Sequence, residues 1–298
     1  MTWLRRESSR RMGRLAFGLG VVAMALCVLV GCGSEPPPFS GHFGVCAESV
    51  AELQAQLDAI GDVWYYDYHF ATTSATGHQR LFMIRFQPLD QTLEAVIRAN
   101  PGAWWAVGNE PNDPHQDDLS PEAYAARFHE VAEFIRRADP SCQILPAGLA
   151  NADWRWAREF REAYRRRYGR YPVVAGWNIH NYLLEPGIDP YDVAEFKRRI
   201  VAFRHWMLEI GEEQKPLFLT EFGVLYGAGC CDRPVDPPER TVAFMRETVQ
   251  WLATTSYVQH WAWFILNNAG EFNGGLYEEG LTLYGQAYRD LVQQYAAP

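Results

Sequence analysis

The chain has 298 residues, 48% apolar and 21% charged, a balance that excludes a disordered or fibrous polypeptide and is ample for one large domain or two small ones. Its formal net charge is −9, and the first 31 residues hold five of the 27 basic side chains but one of the 36 acidic ones, which leaves −13 for the rest. So acidic a body excludes nucleic acid as a partner.

Arg5, Arg6, Arg10, Arg11 and Arg14 precede an apolar run from Leu15 to Val30 that ends Leu29-Val30-Gly31-Cys32. About 16 apolar residues are short for a bilayer span. Small residues before a Cys resemble a bacterial lipobox, with an ordinary secretory signal as the alternative. The expectation is a lipoprotein signal peptide over 1–31, a palmitate-type acyl anchor on Cys32, and an extended polar tether over 32–40 containing Gly33-Ser34-Glu35-Pro36-Pro37-Pro38. The protein would then be held at the cell membrane on its extracytoplasmic side, or be secreted if the lipobox is not used. Ser9-Arg10-Arg11 leaves Sec and twin-arginine export both open. Beyond the lipobox stand Cys46, Cys142, Cys230 and Cys231, which export would allow to pair in three ways.

From about Ser40 onward, apolar runs without alternation read as strands buried on both faces. They are Phe43–Ala47, Val63–Phe70, Leu81–Phe86, Trp104–Gly108, Gln143–Ala147, Val173–His180, Leu217–Thr220 and Val258–Ile265. Helical stretches lie between them. Ser120-Pro121 gives an N-cap with Pro at the first helical position, and Tyr124, Phe128, Val131 and Ile135 follow at helical spacing. Val193, Phe196, Ile200, Phe203, Met207 and Ile210 keep the same period until Gly211, and Val242, Met245, Val249 and Leu252 mark another helix after Asp236-Pro237-Pro238. Eight strand–helix repeats over 41–298 fit an α/β fold of one domain, a (β/α)8 TIM barrel. The link Ala71–Arg80 is too short and polar for a normal crossover helix, so the second helix is expected to be reduced or missing.

Active sites of such barrels sit where the strands end. Strand four runs through Gly108 into Asn109-Glu110-Pro111-Asn112, and strand seven through Thr220 into Glu221-Phe222-Gly223. Two carboxylates facing across a barrel mouth are the minimal equipment of glycoside hydrolysis. Aromatic residues make up 14% of the chain, with eleven Trp, which suits a sugar-binding cleft and an apolar core alike.

Gly-Asn-Glu-Pro at 108–111 and Thr-Glu-Phe-Gly at 220–223 resemble the acid/base and nucleophile motifs of clan A retaining glycoside hydrolases. Trp64-Tyr65-Tyr66, Phe82-Met83-Ile84, His180-Asn181-Tyr182, Ala262-Trp263-Phe264 and the stretch Gly280 to Tyr288 follow in the order seen in glycoside hydrolase family 128, the endo-β-1,3-glucanases of the "glycosyl hydrolase catalytic core" group. Asp67 stands where that family has Asn, and Arg85 where it has Trp. Both would line the cleft, and Arg85 would meet an acidic sugar or Asp67.

The resemblance implies double displacement: Glu221 attacks the anomeric carbon, and Glu110 protonates the leaving oxygen and then deprotonates water. It implies that Asn109 binds the sugar 2-hydroxyl, that Tyr182 or His180 orients Glu221, and that Trp263 is the platform under a pyranose ring. Tyr65, Tyr66, Asp67 and Arg85 complete the expected substrate-binding set. No metal site and no cofactor are implied, and the chain is expected to act as a monomer on a polysaccharide or oligosaccharide. No Gly-x-Ser-x-Gly elbow, phosphate-binding glycine loop or His-Glu-x-x-His zinc motif offers another chemistry. The alternatives are a transglycosylase on the same residues and a non-catalytic surface lipoprotein that captures glycans.

Overall fold

The non-alternating apolar runs become strands covered on both faces, and helices pack on their outer side. The structure, a computed structural model, describes residues 38–48, 51–70, 73–225, 236–267 and 274–295. The expected signal segment, Cys32, Cys230 and Cys231 lie outside those residues. In chain order the elements are β1 (Phe43–Ala47), α1 (Leu53–Ile60), β2 (Trp64–Asp67), β3 (Arg80–Ile84), α2 (Gln91–Ala99), β4 (Trp104–Asn109), α3 (Pro121–Ala138) and β5 (Gln143–Gly148). They continue as α4 (Trp154–Tyr168), β6 (Trp177–Asn181), α5 (Val193–Glu209), β7 (Leu217–Phe222), α6 (Pro238–Ala253), β8 (Val258–Trp263) and α7 (Leu283–Tyr295).

The eight strands make one parallel sheet in the order β5-β4-β3-β2-β1-β8-β7-β6. Its ends meet where Leu149 bridges to Ile179 and the His180 N–H donates to the Leu149 carbonyl at 2.9 Å. The fold is the expected (β/α)8 barrel. No helix joins β2 to β3 among the described residues. Side chains hold that short link instead: Gln54 Oε1 accepts the Thr76 N–H at 2.7 Å, and the Tyr65 hydroxyl accepts the Ala75 N–H at 2.9 Å.

Alternation along each strand divides the core into two layers. Cys46, Trp64, Tyr66, Met83, Ala106, Phe218 and Ala262 fill the barrel. Val45, Tyr65, Phe82, Trp105, Leu219 and Trp263 point outward beneath the helices. Phe39 plugs the N-terminal mouth edge-on, its ring centroid 5.3 Å from Trp64, 5.2 Å from Phe218 and 4.9 Å from His260.

Two strands stop earlier than their apolar runs suggest, because a side chain takes the next backbone N–H. Asp67 Oδ1 accepts from the His69 N–H at 2.6 Å and ends β2; Gln87 Oε1 accepts from the Arg85 N–H at 2.5 Å and ends β3. Strand β6 starts only at Trp177, since Val173, in the expected run, is 56% exposed. The Ser120 cap is as expected, with Oγ accepting the Ala123 N–H at 3.2 Å, and Gly211 follows α5 in the left-handed region. Cys46 and Cys142 are buried free thiols and do not pair with each other. No helix among the described residues is long and apolar enough to cross a membrane.

Candidate active site

Strand β4 delivers Glu110 to the C-terminal mouth through an unusual backbone. Gly108 has φ +89° and Glu110 φ +45°, the latter a left-handed conformation that costs a non-glycine residue free energy. The turn is held by the Glu110 N–H, which donates to the Gly148 carbonyl at 3.0 Å. Across the mouth, β7 ends with Glu221 as its penultimate residue. Both carboxylates are buried.

His180, at the end of β6, lies between them. Its Nδ1 is 2.8 Å from Glu110 Oε1 and 3.3 Å from Glu221 Oε2. Its Nε2 is 3.0 Å from Thr220 Oγ1, and that hydroxyl donates its proton to Asn178 Oδ1 at 2.7 Å. The Thr220 oxygen must therefore accept, which places the imidazole proton on Nε2 and turns Nδ1 to Glu110. Gly148 makes room for the ring: a Cβ there would fall 2.0 Å from His180 Nε2. Burial raises the Glu110 carboxyl above its ordinary value, the His180 hydrogen bond opposing and the nearby Glu221 charge reinforcing the rise.

Glu221 sits in a cradle of hydroxyls. Tyr66 and Tyr68 donate to its Oε1 at 2.5 and 3.0 Å, and Tyr182 donates to Oε2 at 2.9 Å. Burial, with the Glu221 charge adding to it, pushes all three phenols well above their ordinary range, so they stay donors. Three hydroxyl donors therefore converge on this one carboxylate and fix its orientation. The free Cys46 lies in the barrel below, its thiol kept neutral by burial and by the same charge.

One atom each of Glu110, His180 and Glu221 lies within 4.8 Å of the others, a separation that a cation could bridge. The tyrosine hydroxyls and the imidazole hydrogen-bond the two carboxylates within this trio. Asn109 stands beside Glu110, with its N–H donating to Asp117 Oδ2 at 2.7 Å and its Nδ2 to Gln116 Oε1 at 3.2 Å.

The sequence-expected residues divide accordingly. Glu110, Glu221, His180, Tyr182, Tyr66 and Asn109 converge on one site. Tyr65 and Asp67 do not, because strand alternation sends them outward. Tyr65 caps the β2–β3 link, and Asp67 forms a buried ion pair with Arg80 at 2.8 Å. Trp263 is also outward-facing: it is fully buried, donates from Nε1 to the Gly274 carbonyl at 2.8 Å and packs edge-on against Phe222 at 5.2 Å. It has no face open to a sugar. The inward aromatic is its neighbour Phe264, whose ring lies 6.1 Å from Tyr182. Arg85 is at the mouth but meets neither Asp67 nor open solvent alone; its Nε donates to Asp117 and its Nη2 to Gln116 at 2.9 Å.

Sequence reading passed over Phe264, Gln116, Asp117 and the Thr220–Asn178 relay. The period-two rule, counted on from Ala262, would have found Phe264. Nothing in the local sequence marks the others.

A model of the glycosyl hydrolase catalytic core family matches residues 46–288. No curated protein matches the sequence. Among solved structures, a subgroup I endo-β-1,3-glucanase of glycoside hydrolase family 128 from Amycolatopsis mediterranei, bound to laminarihexaose, is similar with TM-score 0.64 and 18% identity, over 84% of this chain and 99% of that one. A subgroup III curdlan-specific exo-β-1,3-glucanase from Blastomyces gilchristii in complex with glucose gives 0.62 and 20%, over 85% and 99%. A subgroup II endo-β-1,3-glucanase from Sorangium cellulosum gives 0.63 and 20%, over 84% and 98%. At such identity these three share the fold.

Proposed function

The chain belongs to the glycosyl hydrolase catalytic core family and is a glycoside hydrolase, and from that premise we propose that it cleaves a neutral β-linked polysaccharide by double displacement, with β-1,3-glucan as its first substrate. The observation that carries the mechanism is the asymmetry of the two carboxyls. Glu110 is raised by burial, which suits a proton donor; Glu221 receives three hydroxyl hydrogen bonds, from Tyr66, Tyr68 and Tyr182, which suit a positioned nucleophile. Their closeness favours direct attack over water-mediated inversion, since retaining pairs lie roughly 5–5.5 Å apart and inverting pairs roughly 6.5–9.5 Å.

Glu221 attacks the anomeric carbon as Glu110 protonates the departing oxygen, and a glycosyl ester forms. Glu110, now ionised, takes a proton from water, which displaces Glu221. His180 moderates both states, since it faces both carboxylates from Nδ1. Transfer to a sugar acceptor in place of water needs no further residue, so transglycosylation remains the second reading. Glycan capture alone has no use for the pair. β-1,3-Glucan is favoured because the structural neighbours act on it, and because the one cation at the mouth among the site residues described above, Arg85, is neutralised by Asp117. Incubating the protein with laminarin, curdlan, β-mannan, xylan and a polyuronate, with products separated by size, tests the substrate. Release from the polyuronate alone refutes a neutral glucan.

The extracytoplasmic, lipid-anchored placement is proposed from Leu29-Val30-Gly31-Cys32, and a lone catalytic barrel suits the monomer expected. Mass spectrometry should find an acylated N-terminus at residue 32, lost in Cys32→Ala. A mature N-terminus elsewhere without acyl mass refutes the anchor.

A further inference from the structure

Arg85 and Asn109 hold the same oxygen. Gln116 Oε1 accepts from Arg85 Nη2 at 2.9 Å and from Asn109 Nδ2 at 3.2 Å. Behind this pair stands Asp117, whose side chain is 2% exposed. It takes the Arg85 Nε–H on Oδ1 and the Asn109 N–H on Oδ2, so both donors are aimed by one buried carboxylate. Gly108 is required for this arrangement, since a Cβ there would meet Asp117 Oδ2 at 3.1 Å. The donors are fixed, whereas the acceptor is not: Gln116 is an exposed side chain in the loop between β4 and α3. The other amide atom of Asn109, Oδ1, is sealed from solvent and has no hydrogen-bond partner, so Nδ2 is the atom through which Asn109 can reach a ligand.

We propose that Gln116 Oε1 occupies the place of a substrate hydroxyl oxygen, and that Arg85 Nη2 with Asn109 Nδ2 forms a two-donor seat for that hydroxyl once Gln116 swings out. The inference rests on the glycosidase reading above and adds Arg85 and Gln116 to it as specificity-determining residues. Asn109 directly precedes Glu110 at the end of β4, so the seat would serve a sugar bound beside the acid. It is built for a neutral group. The Arg85 charge is matched by Asp117, so a uronate carboxylate would find no excess positive charge, while a hydroxyl oxygen finds two oriented N–H donors. Gln116 satisfies these donors in the free protein.

The test is calorimetric titration of laminarihexaose, mannohexaose and xylohexaose into protein carrying Glu221→Gln, which binds without turning over, with and without Gln116→Ala or Arg85→Met. Removing the stand-in ends its competition with the sugar, so Gln116→Ala should tighten binding of the preferred hexaose about fivefold. Arg85→Met should weaken it about tenfold. Gln116 is exposed, so its variant folds even if Arg85→Met, which strands a buried Asp117, does not. In the sugar complex, one hydroxyl oxygen should lie within hydrogen-bond reach of both donors, with Gln116 turned away. Binding unchanged or weakened by Gln116→Ala, or a complex in which Gln116 Oε1 still holds both donors, overturns the seat while leaving the glycosidase reading intact. Flat titrations for all three sugars in every variant overturn both.

Discussion

His180 Nδ1 stands 2.8 Å from Glu110 Oε1, and this contact sets the pH behaviour of the site. One proton is shared across it, because Nε2 is committed to Thr220. Burial raises Glu110 above its ordinary 4.5. The folded protein thus keeps a proton where the unfolded chain has released it, and this contribution to stability is lost as pH rises through the raised value.

Glu110→Gln removes that loss. The variant should melt at a higher temperature than the wild type near neutrality, and the gap should widen as pH rises above the ordinary carboxyl value of 4.5. Scanning calorimetry at several pH values measures it. A gap that is constant or reversed would show that Glu110 is not raised.

The same proton governs rate. The kcat/KM of the wild type should fall on the alkaline side as the Glu110–His180 pair loses it. On an aryl glycoside whose leaving group needs no protonation, Glu110→Gln should keep most of its glycosylation rate and lose the alkaline limb. On polysaccharide it should lose roughly a hundredfold or more. An alkaline limb that persists in Glu110→Gln would assign the acid elsewhere.

The tyrosine cradle of Glu221 gives a graded series. Tyr66→Phe, Tyr68→Phe and Tyr182→Phe each delete one donor to a buried charge, worth about 1.5–3 kcal/mol, so each should lower kcat/KM by about tenfold or more. Steady-state kinetics on one soluble oligosaccharide suffices. Wild-type rates in Tyr66→Phe and Tyr182→Phe together would mean that the carboxylate needs no cradle.

Strand count, the two glutamates and the missing second helix were legible because each leaves a local mark: an uninterrupted apolar run, an acid at its end, a link too short for a helix. Side-chain direction was less so. Trp263 and Tyr65 are aromatic in an aromatic-rich motif, but alternation from Ala262 and from Tyr66 places them under the helices. Asp67 follows the paired tyrosines in sequence, yet its partner Arg80 lies on the next strand, and pairing across β2 and β3 is invisible without the register. The bracket of Arg85, Asn109, Gln116 and Asp117 spans 32 positions, from residue 85 to residue 117. Only the folded loop between β4 and α3 brings it together.

Direction along β8 has a consequence that substitution can separate. Trp263→Ala empties a packed position outside the barrel and should cost about 3–5 kcal/mol of stability. Phe264→Ala, on the inward side beside Tyr182, should instead raise KM several-fold with a smaller change in melting temperature. Denaturant unfolding and kinetics on the two variants decide it. A KM defect confined to Trp263→Ala would reinstate that indole as the sugar platform.

The central claim is that Glu221 becomes glycosylated. A 2-deoxy-2-fluoro β-laminaribioside with a dinitrophenyl leaving group slows both steps, and the good leaving group lets the first outrun the second, so the ester accumulates. Peptide mass spectrometry of the trapped protein should show one added fluorodisaccharide, located on Glu221 within Leu217–Phe222. A label on any other residue, or turnover of laminarin to products of inverted configuration with no label at all, would contradict the account.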